Sequence, residues 1–354
     1  MQGRTKLAGL AAAGLAAIGI LAAHLSGNVG AMDVRSARQE GRVVIYGTAE
    51  TEVVQPIIAS FERRYPGIVA QYQRRDSADT YKQFLSDVAS GQHEADIVWS
   101  SSMSAQVKLI NDGYSQPYAS PGKDFLPRWA SWKDEGYGIT AEALVFAYNK
   151  QASIAADMPT THRELLTLLE SRPELLRGRI GLIDPRDNEI AFMGYSQDTI
   201  VSSDASRLYK AINDSRPKIF ETNRQLLDAL VAGEIDFAYN MLGSYPYHSQ
   251  NPQIRIVQPR DYFIKTSRIA FISKQSTHPA AARLFLDYLL SREAQKLIAA
   301  GHLGAIRADA GDHTYNGKQS WPVRVGPSLL ADFDQMRRRR LLEPWQARAG
   351  AETP

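Results

Sequence analysis

Cysteine is absent from the 354-residue chain. That excludes a disulfide scaffold, a thiolate zinc site, an iron–sulfur cluster, a cysteine nucleophile and a lipidated N-terminal cysteine. An excess of one charge is missing too. The 41 Lys and Arg against 38 Asp and Glu give +3, and without Arg4 and Lys6 the balance falls to about +1. So even a balance leaves no electrostatic footprint for nucleic acid, and no such partner is expected. Catalytic signatures are equally scarce. There is no G-x-G-x-x-G and no P-loop, and His93-Glu94 lacks the second histidine of a zincin. Gly194-Tyr195-Ser196-Gln197-Asp198 lacks the second glycine of a nucleophile elbow. Ser215-Arg216-Pro217-Lys218 fits S-x-x-K by letters, but Pro217 disrupts the helix that would put serine and lysine on one face. The seven histidines form no i, i+4 pair, and no metal or cofactor is expected.

The N-terminus differs in kind from the rest. Arg4 and Lys6 precede an Ala/Leu/Gly/Ile run from Leu7 to Ala23, small residues follow at Val29-Gly30-Ala31, and no acidic residue precedes Asp33. This reads as a signal peptide over residues 1–31. A retained anchor is the other reading, for which a glycine-interrupted run of that length is marginal against ~30 Å of hydrocarbon. The remainder has ordinary globular composition, with 44% hydrophobic residues, and its length suits two domains with cores large enough to need no disulfides.

Helix and strand signals alternate without internal repeats, which argues for α/β layers. Short apolar runs at Val43–Tyr46, Ile97–Trp99, Ala143–Tyr148, Ile180–Ile183, Phe237–Asn240 and Ile269–Ser273 read as buried strands. Thr161–Glu164 and Thr222–Gln225 fit the capping box, Pro279 fits a first helical turn, and Gly113, Gly233 and Gly301 fit left-handed helix ends. Ala141–Asn149 and Tyr262–Ser273 are longer than their neighbours, and each has room to leave one sheet and enter another. On that reading lobe one comprises residues 42–140 and 265–354, and lobe two residues 141–264. Two sequential domains divided near Asn149 are the alternative. Arg337–Arg340, with Leu329, Leu330, Phe333, Met336 and Leu341 nearby, reads as the solvated face of an amphipathic C-terminal helix.

The first strands each turn into a helix through hydroxyl residues, at Thr48-Ala49-Glu50-Thr51 and Ser100-Ser101-Ser102. In an open α/β sheet such turns meet at the carboxyl edge, where ligands bind, and helix N-termini with hydroxyls make an anion-tolerant mouth. Glu50 has two readings, a ligand contact or a charge favouring the positive helix end. One of Ser100–Ser102 is expected to be a plain N-cap.

Six segments in order resemble the periplasmic solute-binding proteins of ABC importers, and specifically the ferric-iron-binding branch of the two-lobed type II class. They are VVIYGTAETEVVQPIIASFERRYPGI, EADIVWSSSMSAQVKLINDGY, ALVFAYNKQ, RGRIGLIDPRDN, VAGEIDFAYNMLGSYPY and HPAAARLFLDYLLSREAQKLIAAGHLGAIRAD. The resemblance implies a two-lobed α/β fold with a mixed, helix-flanked sheet in each lobe, joined by two hinge strands. It further implies a monomeric periplasmic receptor that closes on a small solute and presents itself to permease subunits, or to a sensor kinase.

The branch's iron chemistry does not carry over. Ferric iron needs hard oxygen and imidazole donors. Where the iron binders place histidine this chain has Glu50 or its neighbours, where they place an acidic ligand it has Ser101, and their adjacent tyrosines correspond to Gly243-Ser244. Thr48, Thr51, Ser101, Ser102 and Ser244 instead suit a carboxylate, a phosphate or a sugar hydroxyl. The segment that contacts a bound anion in the family corresponds to Asp184–Asn188. Within it Arg186 is either a fork-shaped anion partner or one half of a surface ion pair with Asp184 or Asp187. Tyr239 ends a strand at the expected cleft, packed or ligand-facing. The leading expectation is capture of an organic anion, with ferric binding and an exported hydrolase as alternatives.

Overall fold

The computed structural model describes residues 34–346, so the expected signal segment lies outside the described residues. Among the described residues, no helix is long and apolar enough to cross a membrane. The chain lays down β1 (Arg42–Gly47), β2 (Val69–Arg74), β3 (Ile97–Ser100), β4 (Ser131–Trp132) and β5 (Gly136–Gly138), then crosses to a second sheet. There it forms β6 (Glu142–Asn149), β7 (Ile180–Ile183), β8 (Lys218–Phe220), β9 (Phe237–Leu242), β10 (Ile254–Val257) and β11 (Phe263–Thr266). It returns for β12 (Ile269–Ile272) and later adds β13 (Ser320–Pro322) to the second sheet. The sheet orders are β2-β1-β3-β12-β5-β4 and β13-β11-β6-β9-β7-β8, with β10 also on β6. Both sheets are mixed, parallel where helices cross over and antiparallel at the strands flanking the crossings.

The apolar runs become strands because both faces of each sheet are covered. Val43 and Ile45 of β1 join Ile57, Phe61, Phe285 and Tyr288 in one core, while Val44 and Tyr46 join Val98, Val107 and Phe271 in another. That second core continues into the other lobe through Leu144, Met193 and Leu242. The covering helices of lobe one begin with α1 (Thr51–Arg64), α2 (Ser77–Ser90) and α3 (Met103–Asn111). Lobe two carries α4 (His162–Ser171), α5 (Glu189–Val201), α6 (Ala205–Asp214), α7 (Asn223–Val231) and the short α8 (Ser244–Ser249). Lobe one resumes with α9 (Pro279–Leu289) and α10 (Arg292–Ala300), and α11 (Gln335–Gln346) comes last.

Local signals resolve individually. Thr222 and Gln225 form the full reciprocal capping box. Thr161 accepts from the Glu164 amide, but the Glu164 carboxylate goes to Thr160 instead. Gly113 and Gly233 are left-handed, whereas Gly301 is not (φ −80°). The left-handed residues of that stretch are His302 (φ +59°) and then Gly304 (φ +72°), and at Gly304 a Cβ would lie 2.4 Å from the Ala141 carbonyl oxygen. Its own carbonyl accepts from Ala141 N–H beside the first crossing, so no other residue fits there.

The crossing at residues 267–268 falls inside the long run Tyr262–Ser273, between β11 of the second sheet and β12 of the first, whereas the crossing at 139–141 precedes β6, which lies wholly in the second sheet. The tail departs from the expectation that residues 265–354 all belong to lobe one. β11 and β13 pair in the second sheet, and Leu342 and Trp345 of α11 pack with Phe192, Tyr209 and Ile212 of lobe two. A three-residue strand and a basic helix carry too little apolar periodicity to reveal that return.

Candidate functional site

The carboxyl ends of β1 and β3 are adjacent because the two strands pair in parallel, Gly47 opposite Trp99. The turns that follow therefore touch. Thr48 Oγ1 accepts from Ser101 N–H at 3.0 Å and lies 3.2 Å from Ser101 Oγ. Ser77 Oγ, at the start of α2, lies 3.2 Å from the same Ser101 hydroxyl. Three helices thus start around one hydroxyl cluster. None of them is capped by its N-cap side chain, at Glu50, Asp76 or Ser102. Uncapped N-termini leave backbone N–H groups and the positive dipole ends for another acceptor.

Behind the cluster lies a buried charge. Arg268, at the second crossing, donates from Nη1 to Thr48 Oγ1 at 3.0 Å and from Nε to Glu142 Oε1 at 2.9 Å. The two charged side chains are 2% and 1% exposed. Burial opposes the guanidinium's charge, but Glu142 more than restores it and holds it above the ordinary arginine value. Thr140 ties both crossings together, accepting from Arg268 N–H at 2.8 Å and donating to Glu142 Oε1 at 3.0 Å.

Lobe two closes over this floor. Ser102 Oγ donates to Glu189 Oε2 at 2.6 Å, from the start of α3 to the start of α5. Desolvation raises the Glu189 carboxyl, against which the Ser102 bond acts. Tyr245 OH donates to Glu50 Oε1 at 3.2 Å, and Arg74 pairs with the same oxygen at 3.2 Å. Burial pushes the Tyr245 phenol up, so it is a neutral donor there. Thr48, Ser101, Ser102 and Ser244 are all buried, and the Ser244 hydroxyl (residue 4% exposed) has no hydrogen-bond partner among the described residues.

The structure thus brings Thr48, Ser101 and Ser102 together, with Glu50 at the rim. The other expected residues are used locally. Arg186 is exposed and forms a forked pair with Asp184 two residues away, at 2.6 and 3.0 Å. Asn188 caps α5, accepting from Ile190 and Ala191 N–H. Thr51 is exposed on the first turn of α1. Gly243 is a packing glycine, where a Cβ would sit 2.9 Å from the Tyr315 ring. Tyr239 is buried in lobe two, donating to Asp198 Oδ2 at 3.1 Å beside Tyr209 and Asn240. Desolvation raises that fully buried Asp198 carboxyl. Replacing Arg186 with alanine should therefore shift stability and solute affinity by no more than about 0.5 kcal/mol, checked by thermal melts and calorimetry.

Residues 43–302 match the family model of the bacterial extracellular solute-binding proteins. The chain belongs to that family. No curated protein sequence matches it. Among solved structures, the substrate-binding protein of an ABC transporter from Agrobacterium tumefaciens is 29% identical (TM-score 0.79; 86% of this chain, 93% of that one). AfuA from Actinobacillus pleuropneumoniae, solved with exogenous fructose-6-phosphate bound, shares the fold at 18% identity (TM-score 0.68; 86% and 97%). Iron-bound HitA from Pseudomonas aeruginosa does so at 20% identity (TM-score 0.64; 86% and 98%). This solute-binding protein is the substrate-binding component of an ABC-type transporter, which delivers a small molecule to permease subunits outside the cytoplasm. The family is one of binding proteins, not enzymes. Among the described residues, no group of three or more His, Asp or Glu side chains is placed to hold a metal ion.

Proposed function

We propose that this solute-binding protein captures an organic anion, a carboxylate or phosphorylated metabolite, in the cleft between its lobes. The observation that carries the reading is the Thr48–Ser77–Ser101 cluster, set at three uncapped helix starts and backed by the buried Arg268 guanidinium. Such a cradle offers donors and positive potential without a mobile surface charge. The iron-binding set is replaced by groups that favour an anion, and AfuA offers a precedent on the same fold for a phosphorylated sugar. Because the hydroxyls are buried when the lobes touch, the solute enters an open form and is held by the closed one. The protein acts as a periplasmic monomer, with the permease as recipient.

Native mass spectrometry of the purified protein, then calorimetry with hexose phosphates, dicarboxylates, free hexoses and ferric citrate, tests this. The expected result is binding confined to compounds with a carboxylate or phosphate. Binding of free hexoses or of ferric iron in preference to those anions would overturn it.

A further inference from the structure

The tail beyond β13 crosses between the lobes more than once. Val323 N–H donates to the Lys265 carbonyl of lobe two, and Val325 N–H to the Trp129 carbonyl of lobe one. Leu329 then packs into the core that holds Met103 and Val107 of α3. A final turn brings Leu342 and Trp345 into the lobe-two core. Between these two attachments lies Asp332, 4% exposed. One carboxylate oxygen accepts from Ser104 Oγ on α3 at 2.7 Å, and the other accepts from Ser196 Oγ on α5 at 2.9 Å. α3 belongs to lobe one and α5 to lobe two. Two arginines of the run expected to be a solvated helix face reinforce the junction. Arg337 donates to Ser196 Oγ at 2.6 Å, and Arg338 stacks on the Phe192 ring at 4.0 Å while donating to the Asp332 carbonyl at 3.2 Å.

We infer that the segment from Val323 to Gln346 is a clamp across the lobes, and that Asp332 sets how readily the cleft opens and hence how tightly solute is held. Separating α3 from α5 forces Asp332 to release one hydroxyl, and a buried carboxylate gives up a charge-assisted bond at a cost. The clamp therefore biases the lobes toward contact before any solute arrives. A solute's apparent affinity scales with the fraction of molecules in the binding-competent form, so the clamp tunes affinity without touching the solute.

The test needs no solute, so its outcome is separate from that of the anion reading. The chain has no cysteine, so spin labels can be placed at K82C in lobe one and R224C in lobe two without other changes. Pulsed dipolar spectroscopy then reads the interlobe distances of the full-length protein. S104A removes one bond and should raise the open fraction roughly two- to tenfold, the range for one buried hydrogen bond, and S196A, which removes the bond to Asp332 and the one accepted from Arg337, should raise it at least as much. D332N should do the same, and should it fail to fold the two serine variants decide. M336A, a change at a side chain of the same segment that is 73% exposed, is the control that should leave the distribution unchanged. Distance distributions in S104A and S196A identical to the parent's would overturn the clamp and leave the tail as packing alone.

Discussion

Replacing Arg268 with methionine should cost the fold about 3–5 kcal/mol, the usual penalty for stranding one member of a buried ion pair. Glu142 would keep its place beneath the crossings with only the Thr140 hydroxyl and its own backbone around it. Thr48 would lose the donor that orients its hydroxyl toward Ser101. The companion change E142L should be costly alone for the same reason. The double variant R268M/E142L should recover most of the loss, because two apolar side chains of similar volume need no counter-charge. Urea unfolding of the four proteins gives the coupling energy directly. Simple addition of the two single costs would mean that the pair is not a unit and that the hinge is held elsewhere.

The pair also shows why this site was only partly legible in the residues alone. The apolar runs of β1, β3 and β12 announced buried strands, and the hydroxyl turns after β1 and β3 announced helix starts at a sheet edge. Parallel pairing does the rest, bringing Thr48 to Ser101 with no signal beyond strand order. Arg268 carries no such mark. It sits in the run Tyr262–Ser273, whose length gives room for a change of sheet, but nothing local says which residue lies at the crossing or that its side chain reaches the turn after β1. Ser77 was hidden for another reason: it lies in a polar run, Arg74-Arg75-Asp76-Ser77, that reads as a solvated turn. Arg186 drew attention as a charge beside the expected cleft, but an aspartate two residues away satisfies its fork within the same loop. Tyr239 points into lobe two, toward Asp198, because the helix layer there supplies a carboxylate that the strand pattern cannot show. Local composition locates helix starts; the groups that reach them from a distant crossing emerge only from topology.

Ser101→Asp should separate binding from stability by moving them in opposite directions. The new carboxylate would stand beside Thr48 Oγ1 and Ser77 Oγ, two hydroxyls now within 3.2 Å of Ser101 Oγ, and near the uncapped start of α3. An acidic group at a helix start gains about 0.3–1 kcal/mol from the dipole, so the melting temperature should hold or rise. For an anionic solute the same carboxylate is an occupant of its seat. Two like charges 4 Å apart repel by about 4 kcal/mol at an effective dielectric near 20, so a tenfold loss of affinity, ~1.4 kcal/mol, is a floor. Ser101→Ala removes one hydroxyl without adding charge and should weaken binding far less. Calorimetry with the anion found for the parent protein makes the comparison. Unchanged affinity in Ser101→Asp would remove Ser101 from the site, whereas equal losses in both variants would mean that the hydroxyl matters and the charge of the solute does not.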